Sequence, residues 1–413
     1  MKYAFILGRN QELSIAELGA IFQSLRSCKN YAIFFDGELP QKPQDFLNRL
    51  GGTTEILEIF AENLPQADIL NDVEKFLLEQ SRAHTGKCAF ALNLWPENKK
   101  SQVLKFLLTR LKKNLRAKGV SANFMNKNFQ NVSPVFASKQ GLIGSKTNIG
   151  ILDVGDGKVT LGATVALQDF EAYSKRDYGK PFRDPAVGML PPKLAQIMIN
   201  LANPNEIASA ATILDPFCGT GTILMEAMLM GYSVIGSDKD ARLIEGARQN
   251  IDWLQKTFSK SVPGNTHVKL FQKDARSLTA ADAIAKAPVG GKQQNGSLSL
   301  AVVTEPFLGP PLSQFPAENF LKKLMDELEK LYLDFFKNLA QWLPKKTAVV
   351  FIFPYWKKGS SRQSLASHVV AKIESLGYSK TTFAPLKTTS LLYERPDSVV
   401  GREIVRFVKV VRP

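Results

Sequence analysis

Cysteine, histidine and long apolar runs are scarce in this chain, and each shortage removes a class of function. The three cysteines (Cys28, Cys88, Cys218) are far apart and odd in number, which disfavours both a disulfide framework and a CxxC zinc site. The three histidines (His84, His267, His368) are equally scattered, so no metal is expected in the chemistry. No stretch approaches the roughly 18 apolar residues of a membrane-spanning helix, and no membrane partner is expected. The opening MKYAFILGRNQEL breaks its short apolar run at Gly8-Arg9-Asn10, which suits a first strand better than a secretory signal. A reducing cytoplasm is the expected location. Acidic residues are also in deficit: 53 Lys+Arg stand against 38 Asp+Glu, a net charge of +15. That excess suits a polyanionic partner, nucleic acid or an anionic membrane surface, and equally a protein from a lysine-rich lineage. With 44% apolar and 22% charged residues the composition is that of a folded globular protein, and 413 residues imply two or three domains at roughly 150 residues each.

The first sixty residues alternate strand and helix. Strands are expected at 3–7 and 31–35, with a helix opened by the capping box Ser14-Ile-Ala-Glu17 and a short helix at 45–50. Residues 60–165 alternate again, with helices at 69–79 and 101–118 and strands at 88–94, 122–124, 141–143, 149–154 and 158–165. Residues 166–192 carry little periodicity and read as an ordered, Pro/Gly-punctuated linker. Pro191 and Pro192 then open a helix at 193–201. From 212 onward strand-helix units follow one another, with strands at 213–214, 233–236, 268–272, 300–304 and 347–354 and a long helix at 317–342. Residues 286–297, rich in Gly, Gln and Lys, read as a flexible insertion. This series predicts a doubly wound α/β sheet that binds ligand at the carboxyl ends of its strands.

The sharpest motif is Asp215-Pro-Phe-Cys-Gly-Thr-Gly221, delivered by a strand and followed by a helix. It is neither a Walker loop nor GxGxxG, so a pyrophosphate cradle is disfavoured. Gly219 and Gly221 let a ligand approach the backbone, Phe217 is a further candidate for contact with the same cofactor, and Asp215 suits the ammonium of a cofactor with an amino-acid portion. Asp238, after the next strand, suits a pair of ribose hydroxyls. Asp274, after the third, suits an adenine amino group, although strand-end acids also cap helices. Cys218 reads as a small packing residue.

Asp215 to Gly221 resembles motif I of the class I S-adenosylmethionine-dependent methyltransferases, in the form typical of RNA guanine-N2 and DNA amino-methyltransferases. Three further stretches are similar to the archaeal-type tRNA (guanine10-N2)-methyltransferases: Leu7-Gly-Arg-Asn-x-Glu-Leu-Ser14, Arg183-Asp-Pro-x-x-Gly-Met-Leu-Pro-Pro-Lys193 and Tyr393-x-Arg-Pro-Asp-x-x-Val-Gly-Arg-Glu403. The resemblance implies a ferredoxin-like α+β unit at 1–58, a THUMP-like RNA-binding domain at 59–165, a linker at 166–192 and a class I methyltransferase domain at 193–413. It also implies S-adenosyl-L-methionine as cofactor, tRNA or another structured RNA as partner, and a small activator subunit as a further partner to test. One motif departs from the pattern, at two positions. The family's motif IV, (Asp/Asn/Ser)-Pro-Pro-(Tyr/Phe), reads here Thr304-Glu305-Pro306-Phe307. An exocyclic amine is a poor nucleophile, and the family accepts hydrogen bonds from it with the motif's side chain and a Pro carbonyl while the aromatic stacks on the base. Phe307 retains the stacking group and Thr304 is a neutral acceptor, weaker than a carboxylate. Glu305 either turns in as a substitute acceptor or points away.

A second electrostatic signal lies at 99–118, which holds Lys99, Lys100, Lys105, Arg110, Lys112, Lys113, Arg116 and Lys118 without one acid. Val103, Phe106, Leu107, Leu111 and Leu115 recur near helical spacing, so the helix is expected to bury those and present a basic face. In a THUMP-like domain Lys112, Lys113 and Arg116 are expected to contact phosphate, with Arg183 nearer the cofactor. Tyr173, Lys175, Arg176, Tyr178 and Arg183 form a basic-aromatic cluster that either lines substrate or docks the linker. The leading reading is methyl transfer from S-adenosylmethionine to guanine N2 in structured RNA, most simply tRNA. The competing readings are a non-catalytic tRNA-binding protein on a vestigial methyltransferase fold, supported by the Thr-Glu-Pro-Phe departure, and a methyltransferase acting on rRNA or DNA.

Overall fold

The structure, a computed structural model, describes residues 1–83, 87–96, 101–184, 189–202, 212–284, 300–395 and 398–410. The insertion expected at 286–297, and Lys99 and Lys100 of the basic stretch, lie outside the described residues. Two compact units form: 1–11, 24–48 and 52–171 make the first, and 12–23, 49–51 and 172–413 the second.

The first unit is built on one eight-stranded sheet of order β2-β3-β1-β4-β8-β7-β5-β6. Its strands are β1 (Lys2–Leu7), β2 (Leu25–Cys28), β3 (Ala32–Asp36), β4 (Thr53–Pro65), β5 (Cys88–Trp95), β6 (Ala122–Phe124), β7 (Asn148–Gly155) and β8 (Lys158–Leu167). Between them run α1 (Gln11–Ile21), α2 (Pro43–Leu47), α3 (Ile69–Ala83), α4 (Ser101–Ala117) and α5 (Pro134–Lys139). The division expected at 58/59 falls inside β4, which pairs with β1 on one edge and β8 on the other, so the two expected pieces share a sheet. The strand expected at 141–143 is instead a run of tight turns, with Gly141 in the left-handed region and Leu142 bonding back to Ala137. Buried side chains also link strands. Thr164 donates to Glu55, Asn148 Nδ2 to Thr164 Oγ1 (2.8 Å) and Asn93 Nδ2 to Asn148 Oδ1 (2.9 Å). Burial lifts the Glu55 carboxyl to about 7, against the pull of Thr164.

On α4 the expected burial holds at Leu107, Leu111 and Leu115 and fails at Val103 and Phe106. Leu104, Leu107, Leu108, Leu111 and Leu115 are the buried stripe, while Val103 and Phe106 are exposed. The stripe at 104, 107/108, 111 and 115 satisfies the helical period better than one that includes 103 and 106. Lys112 lies over the Phe124 ring, Arg116 donates to Asn123 and Lys113 is exposed one step round the helix.

The second unit is a doubly wound sheet. Its strands are β9 (Thr212–Asp215), β10 (Ser233–Asp238), β11 (Val268–Gln272), β12 (Leu300–Thr304), β13 (Ala348–Lys358), β14 (Ser361–Ser364), β15 (Tyr378–Lys380), β16 (Leu391–Tyr393) and β17 (Val400–Lys409). Its helices, after α1, are α6 (Phe170–Tyr178), α7 (Pro192–Ala202), α8 (Thr222–Leu229), α9 (Ala241–Thr257), α10 (Ala280–Ile284), α11 (Glu318–Trp342) and α12 (Ala366–Glu374). The order is β11-β10-β9-β12-β13-β17-β15, with β9 to β13 parallel and β17 antiparallel to its neighbours. Alternate residues of the central strands face opposite cores. Ile213, Val303, Val350 and Ile352 meet α7, α8 and α9, while Leu214, Val302, Val349 and Phe351 meet α11 and α12. Strands buried on both faces are near-continuous apolar runs for this reason. None of the described helices is long and apolar enough to cross a membrane.

Two expectations need correction here. The segment 166–192 is not mere linker, since α6 forms within it and from Ala172 it belongs to the second unit. The Ser14/Glu17 capping box does not cap, because α1 begins at Gln11 and buries both residues. Glu17 instead accepts from Gly51 N (2.9 Å) and Asn200 Nδ2 (2.8 Å), a tertiary demand that outranks the local signal.

Candidate active site

The carboxyl ends of β9, β10 and β12 gather most of the predicted residues. The chain leaves β9 at Asp215, turns through the glycine loop and enters α8. Gly219 (φ +51°) and Gly221 (φ +83°) are both left-handed, a conformation strained for any side chain. No atom lies within 4 Å of where a side chain on Gly219 would begin, so the loop faces open space there, while one on Gly221 would press on Ala247 at 3.3 Å. Asp238, at the end of β10, reaches back to this loop. Its Oδ2 accepts from Gly219 N (3.1 Å) and its Oδ1 from Asp240 N (3.0 Å). Burial raises the Asp238 pKa while those two N–H groups lower it. Two lone pairs per oxygen leave the partly exposed carboxylate able to accept further donors. A glycine cradle beside such a carboxylate fits an adenosine-bearing ligand. Phe217 is half-buried, edge-on to Phe335 (5.2 Å).

Asp215 takes a different place from the one expected. It is 2% exposed, and its Oδ1 accepts from Thr304 Oγ1 (2.6 Å) and from Phe217 N (3.2 Å). Burial lifts its pKa to about 7, against both hydrogen bonds. Thr304 is wholly buried, so its hydroxyl serves Asp215 and ties the ends of β9 and β12 together. Asp274 is engaged as well: its carboxylate takes a bidentate grip on Arg276 (3.0 and 2.7 Å) and caps the turn at 275–277, and the Arg276 bond chiefly lowers its pKa.

The loop after β12 is held at successive residues. Glu305 Oε1 accepts from Arg402 Nε (2.5 Å), with both side chains 12% exposed. Burial works against the Arg402 charge, yet the carboxylate holds its pKa above the ordinary value. Pro306 is buried, and Tyr332 donates to the Phe307 carbonyl (2.7 Å). The Phe307 ring itself is 57% exposed. A large apolar ring left in water on an otherwise pinned loop is free to take a flat partner.

A strap at 176–184 crosses the amino ends of α8 and α9. Arg176 pairs with the buried Glu226 (2.7 Å) and lies over the Tyr173 ring (4.4 Å), and Lys180 donates to Thr222 (2.9 Å). This half of the basic-aromatic cluster docks the strap. Tyr178 is exposed, with Arg183 beside its ring (5.6 Å). Asn250 joins strap to loop: it accepts from Phe182 N and donates to the carbonyls of Phe182 and Thr220 (2.9–3.0 Å). Sequence reasoning missed Asn250, Tyr332 and Arg402, although Arg402 sits inside the Val-Gly-Arg-Glu stretch. Lys112, Lys113 and Arg116 belong to the first unit. Among the described residues no cluster of three His, Cys, Asp or Glu side chains is placed to hold a metal.

The parallel strand order, the glycine loop and the strand-end carboxylate define the second unit as a class I methyltransferase domain. Residues 180–285 match the family model described as RMKL-like, methyltransferase domain. Over 103 residues the chain is 42% identical to a tRNA (guanine(10)-N2)-dimethyltransferase of Methanothermobacter thermautotrophicus, covering 25% of this chain and 26% of that one. A protein of the same name from Pyrococcus abyssi is 42% identical over 74 residues, 18% of this chain and 20% of that one. The matches thus span about a quarter or less of the length of these relatives. The crystal structure of TrmN from Thermus thermophilus is similar in fold, with TM-score 0.50 at 16% identity over 99% of this chain and 100% of that one. The resemblance drawn from Asp215 to Gly221 and from Arg183 onward is therefore borne out in the methyltransferase domain.

Proposed function

We propose that the protein transfers methyl groups from S-adenosylmethionine to the exocyclic N2 of a guanine in tRNA, at position 10 by likeness to the named relatives. The observation that carries this reading is the exposed Phe307 on a loop pinned beside the glycine cradle. Gly219, Gly221, Phe217 and Asp238 would hold the cofactor, with Asp238 on the ribose; its sulfonium supplies the methyl. Phe307 stacks on the base. With Thr304 given to Asp215 and Glu305 to Arg402, the acceptor for the amine is the Pro306 carbonyl, to which no hydrogen bond is seen among the described residues. The anchors at Thr304, Glu305 and Phe307 fix that carbonyl before substrate arrives, and alignment is the main work left to the protein. The basic face of α4, with Lys112, Lys113 and Arg116, supplies phosphate contacts, and the protein works in the cytoplasm.

The engaged Thr304 and Glu305 also favour a second reading, a tRNA-binding protein that has lost transfer. The purified chain, incubated with S-adenosylmethionine and unmodified tRNA, decides. Mass spectrometry of the digested RNA should show N2-methylguanosine or N2,N2-dimethylguanosine without any added subunit. Binding of cofactor and tRNA with no transfer overturns the enzyme reading. Transfer that appears only with an added activator subunit restores it in modified form.

A further inference from the structure

β13 is longer than its neighbours. Its Phe351 lies opposite Thr304, the last residue of β12, yet the strand continues to Lys358 and folds back as β14. At about 3.3 Å per residue β13 runs roughly 20 Å beyond the last residue of β12, with β17 paired to it as far as Trp356. Its tip, 358–363, is exposed, and Gly359 makes the left-handed turn. Lys358 lies over the ring of Phe315 (5.5 Å), in the segment that follows Phe307, and Arg402, one partner of Glu305, pairs with Pro354 on the same strand. The ribbon therefore flanks the loop that follows β12.

A depression of about 390 Å³ opens on this ribbon, lined by Lys357, Ser360, Arg362, Glu394 and Ser398 among others. Lys357 and Arg362 both approach Glu394 (3.8 and 3.7 Å), which also accepts from Tyr355 (2.9 Å). Glu403 accepts from Ser364 at the foot of β14, and Lys358 sits apart over Phe315, so two carboxylates stand against Lys357, Lys358, Arg362 and Arg395 and the surface keeps a positive excess. The buried part of β13 ends at Tyr355 and Trp356, so the core does not call for a tip at 358–363. A ribbon that flanks the loop of the base-stacking residue, carrying cations, is placed to meet the backbone of whatever nucleic acid delivers that base.

We infer that the β13–β14 ribbon is a phosphate-contact surface that grips the RNA backbone next to the target nucleotide. This rests on the RNA methyl-transfer reading above. Such contacts set register and affinity and carry no sequence readout. The test uses the full chain with Lys358→Ala/Arg362→Ala, two exposed positions that the core does not need, and a charge-reversed Arg362→Glu. Binding to unmodified tRNA is followed by fluorescence anisotropy from 50 to 300 mM salt, and S-adenosylhomocysteine binding by calorimetry. The double variant should bind tRNA about 10-fold more weakly at low salt and lose roughly 1–2 units of the log-log salt slope. Arg362→Glu should be weaker still, with S-adenosylhomocysteine affinity unchanged in both. Unchanged tRNA affinity and slope, in a parent that methylates tRNA, overturns the ribbon contact alone. A parent that methylates no RNA, yet whose tRNA binding still falls with these substitutions, overturns the methyl-transfer reading and leaves the contact standing.

Discussion

Glu305 and Arg402, 97 residues apart in the chain, meet as a nearly buried ion pair at the loop that follows β12. The residue that breaks the expected motif is thereby neither a loose acid nor an obvious proton acceptor, because β17 brings a guanidinium to it. Removing one partner of such a pair strands the other charge, which costs roughly 3 kcal/mol at the lower end of the usual range. Arg402→Leu should therefore lower stability in chemical denaturation and, by letting the loop drift, slow single-turnover transfer by about 10–100-fold. Glu305→Gln keeps a hydrogen bond to Arg402 but leaves its charge uncompensated, so it should lose part of that stability while transfer stays near the parent. A sharp loss of turnover in Glu305→Gln, with cofactor binding intact, would make Glu305 the amine acceptor after all.

Asp238→Ala should weaken S-adenosylhomocysteine binding by about 1.5–3 kcal/mol, the worth of a hydrogen bond to a charged group. The substitution also frees Gly219 N, so the loss should exceed that of Asp238→Asn, which retains an acceptor. Equal affinity of Asp238→Ala and the parent by calorimetry removes Asp238 from the site.

Phe307→Ala should cost roughly 1–3 kcal/mol in RNA engagement, the range for losing one base-stacking ring. Because the ring is exposed, the melting temperature and cofactor affinity should not move. A fall in melting temperature would show that Phe307 packs rather than stacks.

The Asp215 carboxyl has a folded pKa of about 7 against an ordinary 3.8. Between those values the folded protein keeps a proton that the unfolded chain has released. This group's contribution to stability is therefore complete below about pH 4 and is lost as pH rises through 7. Asp215→Asn preserves an acceptor for Thr304 and Phe217 and removes the titration. Its stability relative to the parent should climb from pH 4 to pH 8 in urea unfolding, and parallel profiles would contradict the assignment.

Replacing Lys112, Lys113 and Arg116 together with Ala should flatten the salt dependence of tRNA binding by about 2–3 units. If the slope does not change, the outer face of α4 is only solvated.

Much of the second unit was legible because its strands are continuous apolar runs closed by turns that only glycine makes comfortably. The string Asp215 to Gly221 fixed the loop, and the strand-helix alternation fixed the sheet. Side-chain partners were not legible in the same way. Asp215 and Thr304 are 89 residues apart, and nothing near either shows that their hydrogen bond diverts both from the ligand. Asp274 illustrates the alternative reading of a strand-end acid, since Arg276 two residues on supplies its partner. In the first unit α4 forms where it is expected and buries Leu107, Leu111 and Leu115, but apolar neighbours at 103/104 and 106/108 leave the sequence ambiguous, and Leu104 and Leu108 take the places expected of Val103 and Phe106. The strap helix α6 is not legible because its sequence, FEAYSKRDY, is polar and short, and its anchor, Arg176 on Glu226, comes from tertiary packing.

Helix α1 is made near the start of the chain, yet its Leu13 and Ala16 lie in the core under α7, and Glu17 bonds Asn200. At a ribosomal rate of about 5–20 residues per second, on the order of ten to forty seconds separate the synthesis of α1 from that of its partner. During that interval an apolar helix face waits uncovered while the strands around it are already able to pair. Synthesis order and final packing thus pull apart here, and a fragment begun at residue 172 would lack the piece that closes its own core.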